Sequence, residues 1–78
     1  MTTIAIDRHL DARWVPCPGP LMSLIDAIGE REEGDLIEML ADPCSSVDIH
    51  AWLRKADHEI VDQTEEDGHL RFVILKAA

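Results

Sequence analysis

The residue with the clearest capacity for chemistry is Cys17, which stands directly before Pro18 and three positions before Pro20. An amphipathic segment follows, with apolar residues at the i, i+3, i+4 and i+7 spacing of one buried helical face: Leu21, Leu24, Ile25 and Ile28. Proline is tolerated in a helix only within its first turn, where its missing N–H has no partner to lose. The spacing therefore predicts Pro18 and Pro20 as the first and third residues of a helix, with Cys17 as its cap.

A thiol at that position has particular chemistry. The partial positive charge of a helix N-terminus lowers the pKa of a thiol and makes it a better nucleophile near neutral pH. The two prolines remove amide hydrogens and stiffen the turn, so the dipole and the N–H of Gly19 remain to act on the sulfur. This pattern predicts a positioned, reactive and exposed Cys17. A small apolar residue buried beside a helix start is the alternative, and the residues alone leave both readings open.

Length and charge limit the remaining possibilities. The chain has 78 residues, of which 46% are hydrophobic, and we expect a single domain over residues 1–78. The first residues have neither the basic nor the apolar segment of a signal peptide, and no apolar run is long enough to span a membrane, so a cytoplasmic protein is expected. Sixteen acidic against seven basic side chains give a net charge of −9. That charge argues against nucleic acid and anionic lipid as partners, and it favours either docking on a basic protein surface or simple solubility.

The hydrophobic pattern predicts six elements. They are a strand at 3–7, a helix at 18–31 ended by Gly34, a strand at 36–41, a helix at 45–56, and two strands at 58–64 and 69–76. The second helix has two candidate caps, Asp42 before Pro43 and Ser45. Asp67-Gly68 is the strongest hairpin signal and predicts a turn between the last two strands.

The order strand, helix, strand, helix, strand, strand sets the fold class. Two helices cannot cover both faces of a small sheet, so we expect an α/β (α+β) two-layer sandwich, with a four-stranded mixed sheet and two helices on one face. The first two strands should be parallel, and each helix then begins at the same edge of the sheet. Cys17 and Cys44 should consequently face the same end of the molecule.

Several motifs together resemble the TusA/SirA sulfur-carrier family over almost the whole chain. They are Leu10-Asp11-Ala12-Arg13 followed by Cys17-Pro18-Gly19-Pro20, then Gly34-Asp35, Asp42-Pro43, Asp48-Ile49 and the final hairpin. The resemblance implies a β-α-β-α-β-β fold like the C-terminal domain of translation initiation factor three. It also implies an intracellular role in sulfur transfer, in which Cys17 carries sulfane sulfur as a persulfide. Pro18, Gly19 and Pro20 then form the structural frame of the site.

The sequence departs from the usual family pattern beside this motif. Trp14-Val15-Pro16 stands where members often have a basic run, which weakens the expected attraction of free anions such as thiosulfate. Trp14, with Arg13, is instead a candidate docking surface. Cys44 stands where a small residue is common; it is a candidate second sulfur site or resolving thiol, but a small core residue is the favoured interpretation.

The resemblance also implies the partners of such a carrier. The sulfur donor would be a cysteine desulfurase, a rhodanese or thiosulfate, and the acceptor a protein of transfer-RNA thiolation, cofactor sulfuration or sulfur oxidation. We expect a monomeric relay protein with sulfurtransferase activity rather than a conventional turnover enzyme, without cofactor or metal, because the histidines and cysteines lack metal-ligand spacing. Two other functions remain open: a thiol–disulfide module using Cys17 and Cys44, and a non-catalytic regulatory or interaction module.

Overall fold

The order of elements predicted from the sequence is confirmed. A computed structural model describes residues 6–16 and 19–77, so Cys17 and Pro18 lie outside the described residues. The elements are β1 (Arg8–Ala12), α1 (Gly19–Gly29), β2 (Leu36–Ala41), a short 3₁₀ helix (Pro43–Ser45), α2 (Ser46–Lys55), β3 (Glu59–Glu66) and β4 (His69–Leu75).

The four strands form one mixed sheet in the order β1-β2-β4-β3. β1 and β2 are parallel, as predicted, and the other two pairs are antiparallel. The register aligns Ala12 with Ala41, Ala41 with Leu70, and Leu70 with Glu65. These four residues mark one end of the sheet, which we call the upper edge. The turn after β1, the turn after β2 and the β3–β4 hairpin all lie there.

Both helices pack on the same face of the sheet. The core is one cluster, to which α1 contributes Leu24 and Ile28 and α2 contributes Ile49 and Leu53. Ala12 of β1 and alternate residues of the central strands complete it: Ile37, Met39 and Ala41 of β2, and Leu70, Phe72 and Ile74 of β4. This arrangement confirms the two-layer sandwich. No helix within the described residues is long and apolar enough to cross a membrane.

The first strand lies later in the chain than the pattern predicts. The predicted strand at 3–7 falls largely on residues outside the description, and Asp7 precedes β1, which runs from Arg8 to Ala12. β1 is an edge strand in which Ala12 is the buried residue, so it shows little hydrophobic alternation. Its position is determined by pairing with β2, from Arg8 opposite Ile37 to Ala12 opposite Ala41. That pairing is long-range and leaves no local signal.

The first helix ends two residues before its predicted end of about Arg31. α1 ends at Gly29 rather than Arg31, and Gly34 lies in the following loop with a φ of 90°. The ammonium group of Lys76 donates to the carbonyls of Ile28 and Arg31, so a side chain from beyond β4 satisfies acceptors at this helix end. The hairpin prediction is confirmed, because Asp67 and Gly68 form the turn between β3 and β4.

Candidate functional site

The loop between β1 and α1 is held by two carboxylates at the upper edge. The Arg13 N–H donates to the Oδ1 of Asp11 at 3.1 Å, and the Trp14 N–H donates to the Oδ2 of Asp42 at 2.8 Å. Trp14 adopts a left-handed backbone with a φ of 62°, which costs about 1–2 kcal/mol for a residue with a side chain. A hydrogen bond to a charged group contributes about 1.5–3 kcal/mol and can offset that cost.

Arg13 orients the indole ring of Trp14. Its guanidinium donates to both oxygens of Asp11, at 2.9 and 2.8 Å, and its Cζ lies 4.9 Å from the centre of the Trp14 ring. The Arg13 side chain, followed by its backbone N–H, lowers the pKa of Asp11 to about 2, so this carboxylate stays charged at neutral pH. Trp14 itself is 80% exposed. The two candidate docking residues are thus adjacent, and the ring faces solvent.

The other side of the motif is fixed at the start of α1. The Gly19 N–H donates to the carbonyl of Pro16 at 2.8 Å. A Cβ atom at position 19 would lie 2.5 Å from the Cγ1 of Val15, so a side chain there would overlap that methyl group. Pro20 is buried as the second residue of α1, within the predicted first turn. The segment after Cys17 is helical, as expected, whereas the cap role of Cys17 and the placement of Pro18 stay predictions.

The turn after β2 differs from its prediction in two respects. Pro43 opens a 3₁₀ helix after Asp42, but neither Asp42 nor Ser45 makes a side-chain capping hydrogen bond. Cys44 is exposed, so its favoured interpretation as a small core residue is wrong. Ser45, the next residue, occupies the buried position instead. The roles of Cys44 as a second sulfur site or a resolving thiol stay predictions.

Exposed apolar side chains concentrate at the upper edge. Trp14 and Val15 lie in the loop after β1, and they are 80% and 36% exposed. Met22 and Val47 lie in the first turns of α1 and α2, and they are 54% and 77% exposed. Among the described residues one other large apolar side chain is comparably exposed, Val61 of β3. Such clustering is typical of a surface that contacts a partner.

The same end of the molecule is acidic. Carboxylates of the two strand ends, the α2 start and the hairpin lie there: Asp11, Asp42, Asp48, Glu65, Glu66 and Asp67. Arg13 is the basic residue of this end, and it is paired with Asp11. Arg71 lies in the same row of the sheet as Asp11 and is paired with Glu38 and Asp62. The remaining basic side chains lie toward the opposite edge: Arg8, Arg31, Arg54, Lys55 and Lys76. The upper edge therefore carries a negative potential that disfavours anions and favours cationic groups.

Sequence reasoning missed the part that Asp42 plays. The Asp42-Pro43 dipeptide predicts a helix start, but it does not indicate which N–H the carboxylate binds. The partner of the carboxylate is 28 residues earlier in the chain, on the other side of the β1–β2 pair. Only the parallel pairing of these strands brings the two turns together, so no local signal could have identified the contact.

Comparisons with known proteins agree on one family. A family model described as "Sulfurtransferase TusA" matches residues 8–76. A protein of Archaeoglobus fulgidus is 41% identical over 68 residues, covering 86% of this chain and 93% of its own length. The sulfur carrier protein TusA of Pseudomonas fluorescens is 38% identical over 72 residues, covering 91% of this chain and 87% of its own. The crystal structure of a SirA-like protein from Desulfitobacterium hafniense has the same fold, with a TM-score of 0.79 at 22% identity, and the match covers 91% of this chain and 99% of that one.

Proposed function

This chain belongs to the TusA sulfurtransferase family, and on that basis we propose that it is a sulfur carrier. Cys17 takes up sulfane sulfur as a persulfide and passes it to an acceptor protein. The observation that carries this proposal is that the family match over residues 8–76 spans Cys17-Pro18-Gly19-Pro20, while Asp42 holds the Trp14 N–H before the motif and the carbonyl of Pro16 accepts the Gly19 N–H at the start of α1. A flank that is already ordered reduces the entropy lost when the thiol reaches its reacting geometry.

The chemistry of such a carrier needs two exchanges. In the first, the Cys17 thiolate attacks the outer sulfur of a donor persulfide, the donor S–S bond breaks, and the donor thiolate leaves. In the second, an acceptor thiolate attacks the outer sulfur on Cys17, and the Cys17 thiolate leaves. Neither step needs an oxidant. A low thiol pKa favours both the attacking thiolate and the leaving group, and the N-terminal end of α1 supplies the partial positive charge for it.

The surface around the motif favours a protein as the sulfur donor. Thiosulfate is an anion, and the acidic upper edge opposes its approach. A cysteine desulfurase or a rhodanese can present basic groups to these carboxylates and apolar groups to Trp14 and its exposed neighbours. Trp14 and Arg13 then act as docking residues. The acceptor is a protein of transfer-RNA thiolation, cofactor sulfuration or sulfur oxidation.

Mass spectrometry of the intact protein tests the proposal. After incubation with glutathione persulfide, we expect a mass increase of one sulfur atom in the parent protein and in the Cys44→Ser variant, and none in Cys17→Ser. Absence of the adduct in Cys44→Ser, where Cys17 is the remaining cysteine, contradicts the carrier function.

The exposure of Cys44 favours a thiol–disulfide module as the second candidate function. That function predicts a Cys17–Cys44 disulfide under mild oxidation. It also predicts that Cys44→Ser loses the thiol–disulfide activity, and that the parent protein takes up no persulfide sulfur. A non-catalytic interaction module predicts instead that Cys17→Ser is silent in every assay. The three functions are separated by the same pair of variants.

A further inference from the structure

We propose that Asp42 is a positioning residue for sulfur uptake, acting through the backbone of Trp14; this inference rests on the proposed function. The carboxylate of Asp42 accepts the Trp14 N–H at 2.8 Å. Trp14 precedes Cys17 by three residues in the sequence. Asp42 therefore acts on the chain that leads into the motif and needs no contact with the reacting sulfur.

The carboxylate of Asp42 does not cap the 3₁₀ helix, although Asp42 stands at its capping position. Asp42 stands at the start of the 3₁₀ helix with extended backbone angles, φ −75° and ψ 151°, which suit a capping residue. Its side chain nevertheless makes no capping hydrogen bond there. It reaches instead across the ends of β1 and β2. The Asp42 carboxylate thus accepts a hydrogen bond from the loop between β1 and α1, and none from the helix that it precedes.

The backbone conformation of Trp14 explains why the loop needs this hydrogen-bond acceptor. A φ of 62° is uncommon for a large side chain, and it persists only where the surroundings hold it. The Arg13 N–H is held by Asp11, so the two consecutive amides are bound by two different carboxylates. Without the Asp42 acceptor, the Trp14 N–H loses its partner, and the left-handed turn loses one of the two hydrogen bonds that carboxylates make to it. The chain leading to Cys17 then samples other directions, which should slow the reactions of the thiol.

The test compares three variants in a Cys44→Ser background, so that Cys17 is the reacting cysteine. Asp42→Ala removes the acceptor. Asp42→Asn keeps an oxygen that can accept the Trp14 N–H but removes the charge. Lys76→Met is the matched control, since it removes hydrogen bonds at the far end of α1 and leaves the loop intact. All are measured well below their unfolding temperatures, with glutathione persulfide as the sulfur donor.

We expect Asp42→Ala to slow sulfur uptake at least tenfold, and Asp42→Asn and Lys76→Met to stay within about threefold of the parent. The pH midpoint of Cys17 alkylation by iodoacetamide should be higher in Asp42→Ala than in Asp42→Asn, which lacks the same charge, because the thiol benefits less from the helix start. Hydrogen exchange of the Trp14 amide in the parent provides a measurement that does not depend on any variant folding. Slow exchange is expected from the bond to Asp42.

Four results overturn the inference while leaving the carrier function intact, and the first three concern the bond itself. They are uptake by Asp42→Ala at the parent rate, equal slowing in Lys76→Met, and a Trp14 amide that exchanges like an unstructured one. Equal slowing in Asp42→Asn and Asp42→Ala also overturns it, since the charge and not the bond would then matter. Absence of sulfur uptake in the Cys44→Ser parent would instead overturn the proposed function itself.

Discussion

The acidic hairpin should control which reagents reach Cys17. Glu65, Glu66 and Asp67 lie at the upper edge, on β3 and in its turn. Replacing them with Gln, Gln and Asn removes three negative charges and keeps side chains of similar size. Asn also tolerates the left-handed backbone of position 67, where φ is 48°. We expect the variant to react faster with anionic thiol reagents and more slowly with cationic ones.

The sheet order sets the size of the effect. β4 and β3 are two and three positions from β1, or roughly 10 and 14 Å at about 4.8 Å per strand. A unit charge at about 12 Å in water changes the energy of an approaching ion by about 0.35 kcal/mol. At about 0.01 M salt, where the Debye length is about 30 Å, three such charges contribute about 0.7 kcal/mol, or about threefold in rate. The ratio of cationic to anionic rates should therefore fall about tenfold, and only about twofold at about 0.15 M salt.

Methanethiosulfonate reagents of opposite charge measure this ratio directly. The assay uses the Cys44→Ser background and follows modification of Cys17 at the two salt concentrations. A matched control removes the same number of charges near the opposite edge of the sheet: Glu30→Gln, Glu32→Gln and Glu33→Gln. The electrostatic reasoning is refuted if the hairpin variant leaves the ratio unchanged at low salt, or if the control lowers it equally.

Two further predictions concern the frame of the site and the fold. Gly19→Ala should lower the free energy of unfolding by about 0.5–1.5 kcal/mol, because the Cγ1 methyl of Val15 must turn aside. Urea unfolding should show that adding Val15→Ala removes this loss, and equal losses in both backgrounds would contradict the contact. Burial, and then the charge of Lys76, lower the pKa of His58, whose Nδ1 accepts the Ala77 N–H at 3.0 Å. The unfolded chain then binds a proton near pH 6.5 that the folded chain does not, so the free energy of unfolding should fall as the pH drops below about 6.5. In urea titrations between about pH 7 and 5.5, His58→Gln should reduce this dependence on pH. An unchanged dependence would exclude His58 as its source.

The elements that the sequence predicts well are those with a local cause. β2 is found at its predicted limits because an apolar run between Gly34-Asp35 and Asp42-Pro43 is a local signal. The hairpin follows from Asp67-Gly68, whose positive φ angles need residues of this type. The buried face of α1 follows from the spacing of residues such as Leu24 and Ile28. Each depends on residues within one or two turns of the chain.

The misplaced elements depend on distant partners. β1 has a weak pattern of its own, and the strand forms where β2 offers a pairing edge. At the end of α1, the carbonyls of Ile28 and Arg31 accept hydrogen bonds from Lys76, which is more than forty residues later in the sequence. Cys44 was expected in the core because cysteine is usually buried, but the buried position of its turn is taken by Ser45. The residues adjacent in sequence do not indicate where β1 forms, where α1 ends or that Cys44 is exposed.

By itself the sequence determined the order of the elements, the layer architecture and the motif around Cys17, because periodicity, proline and glycine act through the nearest neighbours in the chain. The tertiary structure alone decided how the loop before Cys17 is held. The parallel pairing of β1 with β2 brings two turns 28 residues apart together, and there Asp42 binds the strained backbone of Trp14. A contact between residues so far apart exists only after the sheet has formed.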